Sequence, residues 1–165
     1  PLWLSVPAAL GAGALVGLLN AAIILYFRIH SLIVTLGVGT FVHGLVLWMS
    51  ASQTISGIHM ALSRAVIATR LVGTPLAFWY AVLLAAAIWY AFGYTAAGQR
   101  LLFVGRGREV ARLSGIRVDR VRAGALVSSA LLGALGGVVY AGTTGAADPS
   151  SGLSFLLPAF AAAFL

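Results

Sequence analysis

The feature that most constrains this chain is a succession of long apolar runs, broken by short stretches that carry nearly all of its charge. Of 165 residues, 61% are hydrophobic and 8% are charged, whereas a water-soluble domain uses roughly one quarter charged residues. So small a polar inventory cannot cover a soluble surface, and the bilayer is the expected solvent. In lipid a chain satisfies its backbone groups within helices, and each spanning helix takes about 20 mainly apolar residues. The expected fold is therefore all-α, a polytopic transmembrane helical bundle. Residues 1–165 form one membrane domain with about five membrane helices by that length rule.

The runs place those helices. The first covers Leu2 to Phe27 and is closed by Arg28 and His30. The second, Leu32 to Met49, carries Gly37, Gly39 and Gly44 and reads either as a full span or as a short, broken helix inside a bundle. Residues 50–74 are polar and read as an extramembrane loop, with a short amphipathic helix near 58–70. A third run, Pro75 to Tyr94, has Phe78, Trp79 and Tyr80 at one end and Trp89, Tyr90, Phe92 and Tyr94 at the other, an interfacial aromatic pattern. Gln99 to Arg122 is the polar centre. A fourth run covers Ala123 to Ala141, Gly142 to Gly152 is a turn, and a fifth helix starts near Leu153. The chain opens without Met and stops inside an apolar run, so part of a longer polypeptide is expected.

Charge sets the orientation. All ten basic residues are arginines, seven of them between Gln99 and Arg122, against only Glu109, Asp119 and Asp148. In a soluble protein the net charge of +7 suggests nucleic acid; here the arginines fall between apolar runs, so topology accounts for them and no nucleic-acid partner is expected. Short arginine-rich loops stay in the cytoplasm, which puts residues 99–122 inside and residues 50–74 and 142–152 outside; Arg28 is inside if residues 32–49 span, and the first helix flips if they form only a hairpin. Arg64 and Arg70 are then the exceptions. Small-xxx-small patterns at Gly11, Gly13 and Gly17 and at Gly133 and Gly137 predict close helix packing.

The residues offer little for catalysis. With no cysteine, thiolate metal sites and disulfides are excluded. His30, His43 and His59 are far apart, so no metal site is expected. No phosphate-cradling glycine loop is present, so no cofactor is expected in this chain and any ATP must bind another polypeptide. His43 is the one ionisable residue deep in an apolar run, and Asn20 is similarly placed. Each is a candidate lining residue of a polar pathway, or a side chain that merely bonds a facing helix.

The segment Arg108-Glu109-Val110-Ala111-Arg112-Leu113 has good helix formers. Glu109 near its start and Arg112 near its end suit the helix dipole, Gly105-Arg106-Gly107 is expected to break the chain before it, and Gly115 is its expected stop. A short charged helix between spans is either a lever for a soluble partner or a solvated loop obeying the charge rule.

The stretch Glu109 to Val121, EVARLSGIRVDRV, resembles the cytoplasmic loop of ribose-type ABC importer permeases, in the branched-chain amino-acid and sugar permease superfamily. Three collinear stretches share the resemblance: Gly17-Leu18-Leu19-Asn20, Ser31 to Gly39, and Gly152 to Leu165. Gly107 and Arg108 stand where Asn-Pro is usual, and Ala21 stands where glycine is usual. The resemblance implies a monosaccharide-type importer of the inner membrane, with the branched-chain amino-acid branch as alternative. It also implies a second permease subunit, a cytoplasmic ATPase subunit that binds the ATP, and an extracytoplasmic sugar-binding protein. Residues 99–122 then form the cytoplasmic coupling loop, and Glu109, Ala111, Arg112, Leu113, Ser114 and Gly115 the coupling surface.

Overall fold

A computed structural model describes residues 2–56, 70–71 and 74–164. Four of its helices are long and apolar enough to cross a membrane. They are α1 (Leu2–Phe27), α2 (Ser31–Met49), α3 (Leu76–Tyr94) and, after two shorter helices, α6 (Val118–Thr144). At about 1.5 Å per residue, even the 19-residue α2 and α3 reach roughly 28 Å, close to the hydrocarbon thickness of about 30 Å. The glycines of α2 do not interrupt it, so it is a continuous helix long enough to span and not a broken one.

Between α3 and α6 lie α4 (Ala96–Arg106) and α5 (Arg108–Leu113). Residues 99–122 are thus mostly helical, and two expected boundaries move. Gly105 is inside α4, and the chain breaks only at Gly107, which has extended backbone (φ −170, ψ 103). The last long helix starts at Val118, five residues before the expected Ala123, because a helix protruding from the membrane can carry Asp119, Arg120 and Arg122 in water. After α6, Gly145 in the left-handed region (φ 67) ends the helix. The apolar stretch that follows is split at Phe155 into α7 (Ser151–Ser154) and α8 (Leu156–Phe164).

The bundle is organised on α1 and α6, which run antiparallel. A Cβ at Gly13 would lie 2.6 Å from Ala134 Cβ, and one at Gly17 would lie 2.9 Å from both Val127 Cα and Ala130 Cβ. Only glycine lets the two backbones come this close. Gly11, Gly133 and Gly137 meet nothing within 4 Å among the described residues, so only part of the expected pattern is used in this contact. Gly17, Asn20, Ala21 and Ile24 form one buried stripe on α1, and Ile24 packs with Val34 and Val38 of α2 and with Leu126.

The two ends of the bundle are distinct. Two antiparallel ladders lie at one of them: β1 (Ile55–Ser56) pairs with β4 (Ala146–Ala147), and β2 (Arg70–Leu71) pairs with β3 (Thr74–Pro75). Thus residues 50–56 and 145–150 share a side, as their common placement outside requires. The expected amphipathic helix near 58–70 lies outside the described residues except at Arg70, which is in β2. Large apolar side chains line the outer surface: Phe41, Leu83 and Trp89 are each about two-thirds exposed, and α3 buries none of its residues. Such a surface suits lipid and fits a helical membrane bundle. Trp79 Nε1 donates to Thr74 Oγ1 at 3.0 Å, pairing an indole with a polar loop as an interfacial position allows.

Candidate functional site

At the arginine-rich end, α5 is short but firmly held. Gly107 gives its N-terminus no side-chain cap, while Glu109 lies in the first turn and Arg112 in the last. Its C-terminus closes by two reciprocal bonds: Gly115 N–H donates to Arg112 C=O at 3.1 Å, and Ile116 N–H to Ala111 C=O at 3.1 Å. That closure needs a left-handed residue, and Gly115 has φ +79. Ser114 Oγ donates to Val110 C=O at 2.9 Å. Ala111 is fully buried against Val104 of α4 and Val118 of α6, with Ile116 and Val121 packed around them.

A helix turns 100° per residue, so six residues present three faces. Ala111 makes the buried one. Val110 and Leu113 make an apolar outer edge, with exposures of 58% and 87%. Arg108, Glu109 and Arg112 line a cleft on the third side. Of the residues expected at the coupling surface, Glu109, Arg112, Leu113, Ser114 and Gly115 are exposed. Ala111 is not available there; it pins α5 to the bundle.

The cleft has a volume of about 530 Å³ and lies between α5, the end of α1, the α1–α2 link and the start of α6. Arg28, His30, Arg108, Arg112 and Arg122 line it together with Glu109 and Asp119. Arg28 is therefore at the same end as α5, as the alternation of spans predicts. The sequence gives no sign that these side chains converge on one cavity. The only available signal is that Arg28 ends one span, Arg122 begins another, and both belong inside.

Asn20 and His43 are in different places. Asn20 is on the buried α1 stripe, 9% exposed, and His43 is partly buried on α2. Seven residues separate Asn20 from the end of α1, and twelve separate His43 from the start of α2. At about 1.5 Å per residue their depths are roughly 11 and 18 Å from the arginine end. Asn20 Oδ1 and His43 Nε2 are buried, and neither has a hydrogen-bond partner among the described residues.

This geometry, with apolar spans and a short pinned helix at the arginine end, coincides with a match to known proteins. The family described as "branched-chain amino acid transport system / permease component" matches residues 1–165. The chain belongs to this permease family. The ribose import permease protein RbsC of Haemophilus influenzae is 26% identical over 165 residues, covering 98% of this chain and 51% of that protein. The autoinducer 2 import system permease protein LsrC of Yersinia pseudotuberculosis is 29% identical, covering 95% of this chain and 44% of the relative. The corresponding LsrD protein of Photorhabdus luminescens is 29% identical, covering the whole chain and 51% of the relative. The chain thus spans about half the length of the curated relatives it matches. No solved structure matches it. A transport permease with four apolar candidate spans is a multi-pass protein of the inner membrane.

Proposed function

We propose that this chain is part of the pore-forming subunit of an ATP-driven ABC importer for a monosaccharide-type sugar. The relatives, named as permeases for ribose and for autoinducer 2, support the sugar branch over the branched-chain amino-acid branch. The observation that carries the mechanism is α5, pinned by Ala111 on one side and showing Leu113 almost fully exposed on another. An ATPase subunit, which binds the ATP, docks on Val110 and Leu113, with Glu109, Arg112, Ser114 and Gly115 around them. A second permease subunit completes the pore. A sugar-binding protein delivers substrate at the outer end, where residues 50–74 and 142–152 belong, and Asn20 and His43 line part of the pathway.

The test is co-purification of the ATPase with the full-length permease, followed by uptake of labelled ribose and leucine in proteoliposomes. Leu113→Asp puts a charge in the apolar contact and is expected to abolish ATPase recovery while membrane insertion stays normal. Arg112→Glu is expected to uncouple ATP hydrolysis from uptake. Full ATPase recovery with Leu113→Asp would refute the docking surface, and uptake of leucine but not ribose would refute the sugar assignment.

A further inference from the structure

We propose that the arginine cleft is a binding site for a phosphate-class anion, either the headgroup of an acidic phospholipid or a free phosphate ion. It rests on the membrane placement of the bundle and not on the ATPase reading.

Four arginines and two carboxylates line the cleft, leaving an excess of two positive charges. A guanidinium keeps its charge at any physiological pH, so this excess cannot be relieved by loss of a proton. Among the described residues no ion pair ties the arginines to Glu109 or Asp119. Charges of one sign gathered in a partly enclosed space repel, and a phosphate oxyanion offers the paired acceptors that arginine forks fit.

The location favours the same ligand. Arg28 directly follows the last residue of α1, and Arg122 is in the second turn of α6, so both lie where a span leaves the hydrocarbon. Phospholipid phosphates occupy that level, and basic residues there gain attraction to acidic lipids. Ile24 and Val118, both buried, contribute apolar surface to the same cleft. About 530 Å³ exceeds what a phosphate ion fills and suits a phosphodiester headgroup. Arg28 also has φ +54, an uncommon left-handed conformation for a residue other than glycine. Such backbone strain is often retained where it serves a site. A bound anion bridges the α1–α2 link to α5, since Arg28 is on the link and Arg108 and Arg112 are on α5.

The experiment uses the full-length permease, delipidated in detergent and titrated by native mass spectrometry with dioleoyl-phosphatidylglycerol or dioleoyl-phosphatidylcholine. Each titration is run with and without millimolar inorganic phosphate. Phosphatidylglycerol is expected to bind in preference to phosphatidylcholine. Arg28→Gln/Arg122→Gln is expected to weaken it about thirtyfold, at about fivefold for each arginine. Both residues are off α5, so ATPase docking remains a separate readout. Arg28→Lys/Arg122→Lys keeps the charge, loses the forks, and is expected to fall between. Arg100→Gln/Arg106→Gln removes the same charge elsewhere and is expected to leave the affinity nearly unchanged. Persistence of the lipid adduct against phosphate identifies a headgroup as the ligand; displacement by phosphate, with thermal stabilisation by phosphate alone, identifies the free ion. Equal binding of the two lipids without any phosphate effect, or equal loss in both glutamine variants, would overturn the proposal in favour of a diffuse basic surface.

Discussion

Replacing Gly17 with alanine tests whether α1 and α6 are held by backbone proximity. The new Cβ would lie 2.9 Å from Val127 Cα and 2.9 Å from Ala130 Cβ. Neither atom can rotate away, since one is backbone and the other is fixed to it. Restoring an ordinary carbon contact of about 3.6–3.9 Å requires the helices to part by roughly 0.7–1 Å, which forfeits dispersion along the contact. Overpacking of this kind costs about 1–3 kcal/mol, and the immobile partners place Gly17 near the upper value. Alanine recovers about 1 kcal/mol of helix propensity, so the net loss is about 2 kcal/mol. Gly133→Ala is the matched control, with nothing within 4 Å among the described residues. It should stabilise by about 1 kcal/mol, a difference of about 3 kcal/mol between two substitutions identical in sequence terms. Thermal unfolding of the purified permease in detergent measures both. Adding Gly13→Ala to Gly17→Ala should cost less than the sum, because one separation relieves both contacts. Equal midpoints for Gly17→Ala and Gly133→Ala would refute the close approach.

Gly98→Ala should destabilise by about 2–3 kcal/mol, since its Cβ would lie 2.6 Å from Phe92 Cα at the α3–α4 elbow; a lowered unfolding midpoint checks this. Gly115→Ala forces a side chain onto φ +79 at a cost of about 1–2 kcal/mol, and hydrogen exchange should rise at residues 111–116 while β1 and β4 are unaffected. Asp148 has its carboxyl held below its ordinary 3.8 by the Ser150 backbone N–H and then by the Ser150 hydroxyl. Because the folded value is depressed, the associated stability is present above pH 3.8 and disappears as pH falls through the folded value. Ser150→Ala should raise the Asp148 pKa toward 3.8 and narrow that window, as read by an NMR titration of the side chain.

The spans were legible because hydrocarbon imposes a length and an apolar composition on each helix. The ends of α1, α2 and α3 all fall within a residue of where the apolar runs stop. The start of α6 was hidden for a related reason: Asp119, Arg120 and Arg122 mark the edge of the membrane, not the edge of the helix. Gly105 misled in the same region, since the run Gly105-Arg106-Gly107 reads as a break from its first glycine, yet helix geometry tolerates Gly105 at a cost of about 1 kcal/mol. The glycine pairs at 13/17 and 133/137 have the same spacing, and which of them meets a partner helix depends on helix rotation. Ala111 was expected on the coupling surface because the resemblance covers the whole stretch from Glu109 to Gly115, yet it is fully buried. Its burial is fixed by where Val104 and Val118 come together, which no local pattern records.

The placement of Ala111 bears on how a push at α5 is transmitted. A side chain with no exposed surface, set between α4 and α6, leaves α5 no room to slide without moving Val104 or Val118. Val118 is the first residue of α6, and α6 meets α1 at Gly13 and Gly17, where the methyls of Ala130 and Ala134 lie against the α1 backbone. A displacement applied at Leu113 therefore passes through close-packed atoms into the long helix pair. Packed interiors respond to such a load by shifting as units, since they resist compression. The link from α1 to α2 at Arg28 and the face of α5 carrying Arg112 close the same loop from the other side, across a cleft that is charged and open. One side of α5 is thus closely packed against α4 and α6, and the other faces a charged cleft. That asymmetry is what a short helix needs if it is to tilt about Ala111 while remaining attached.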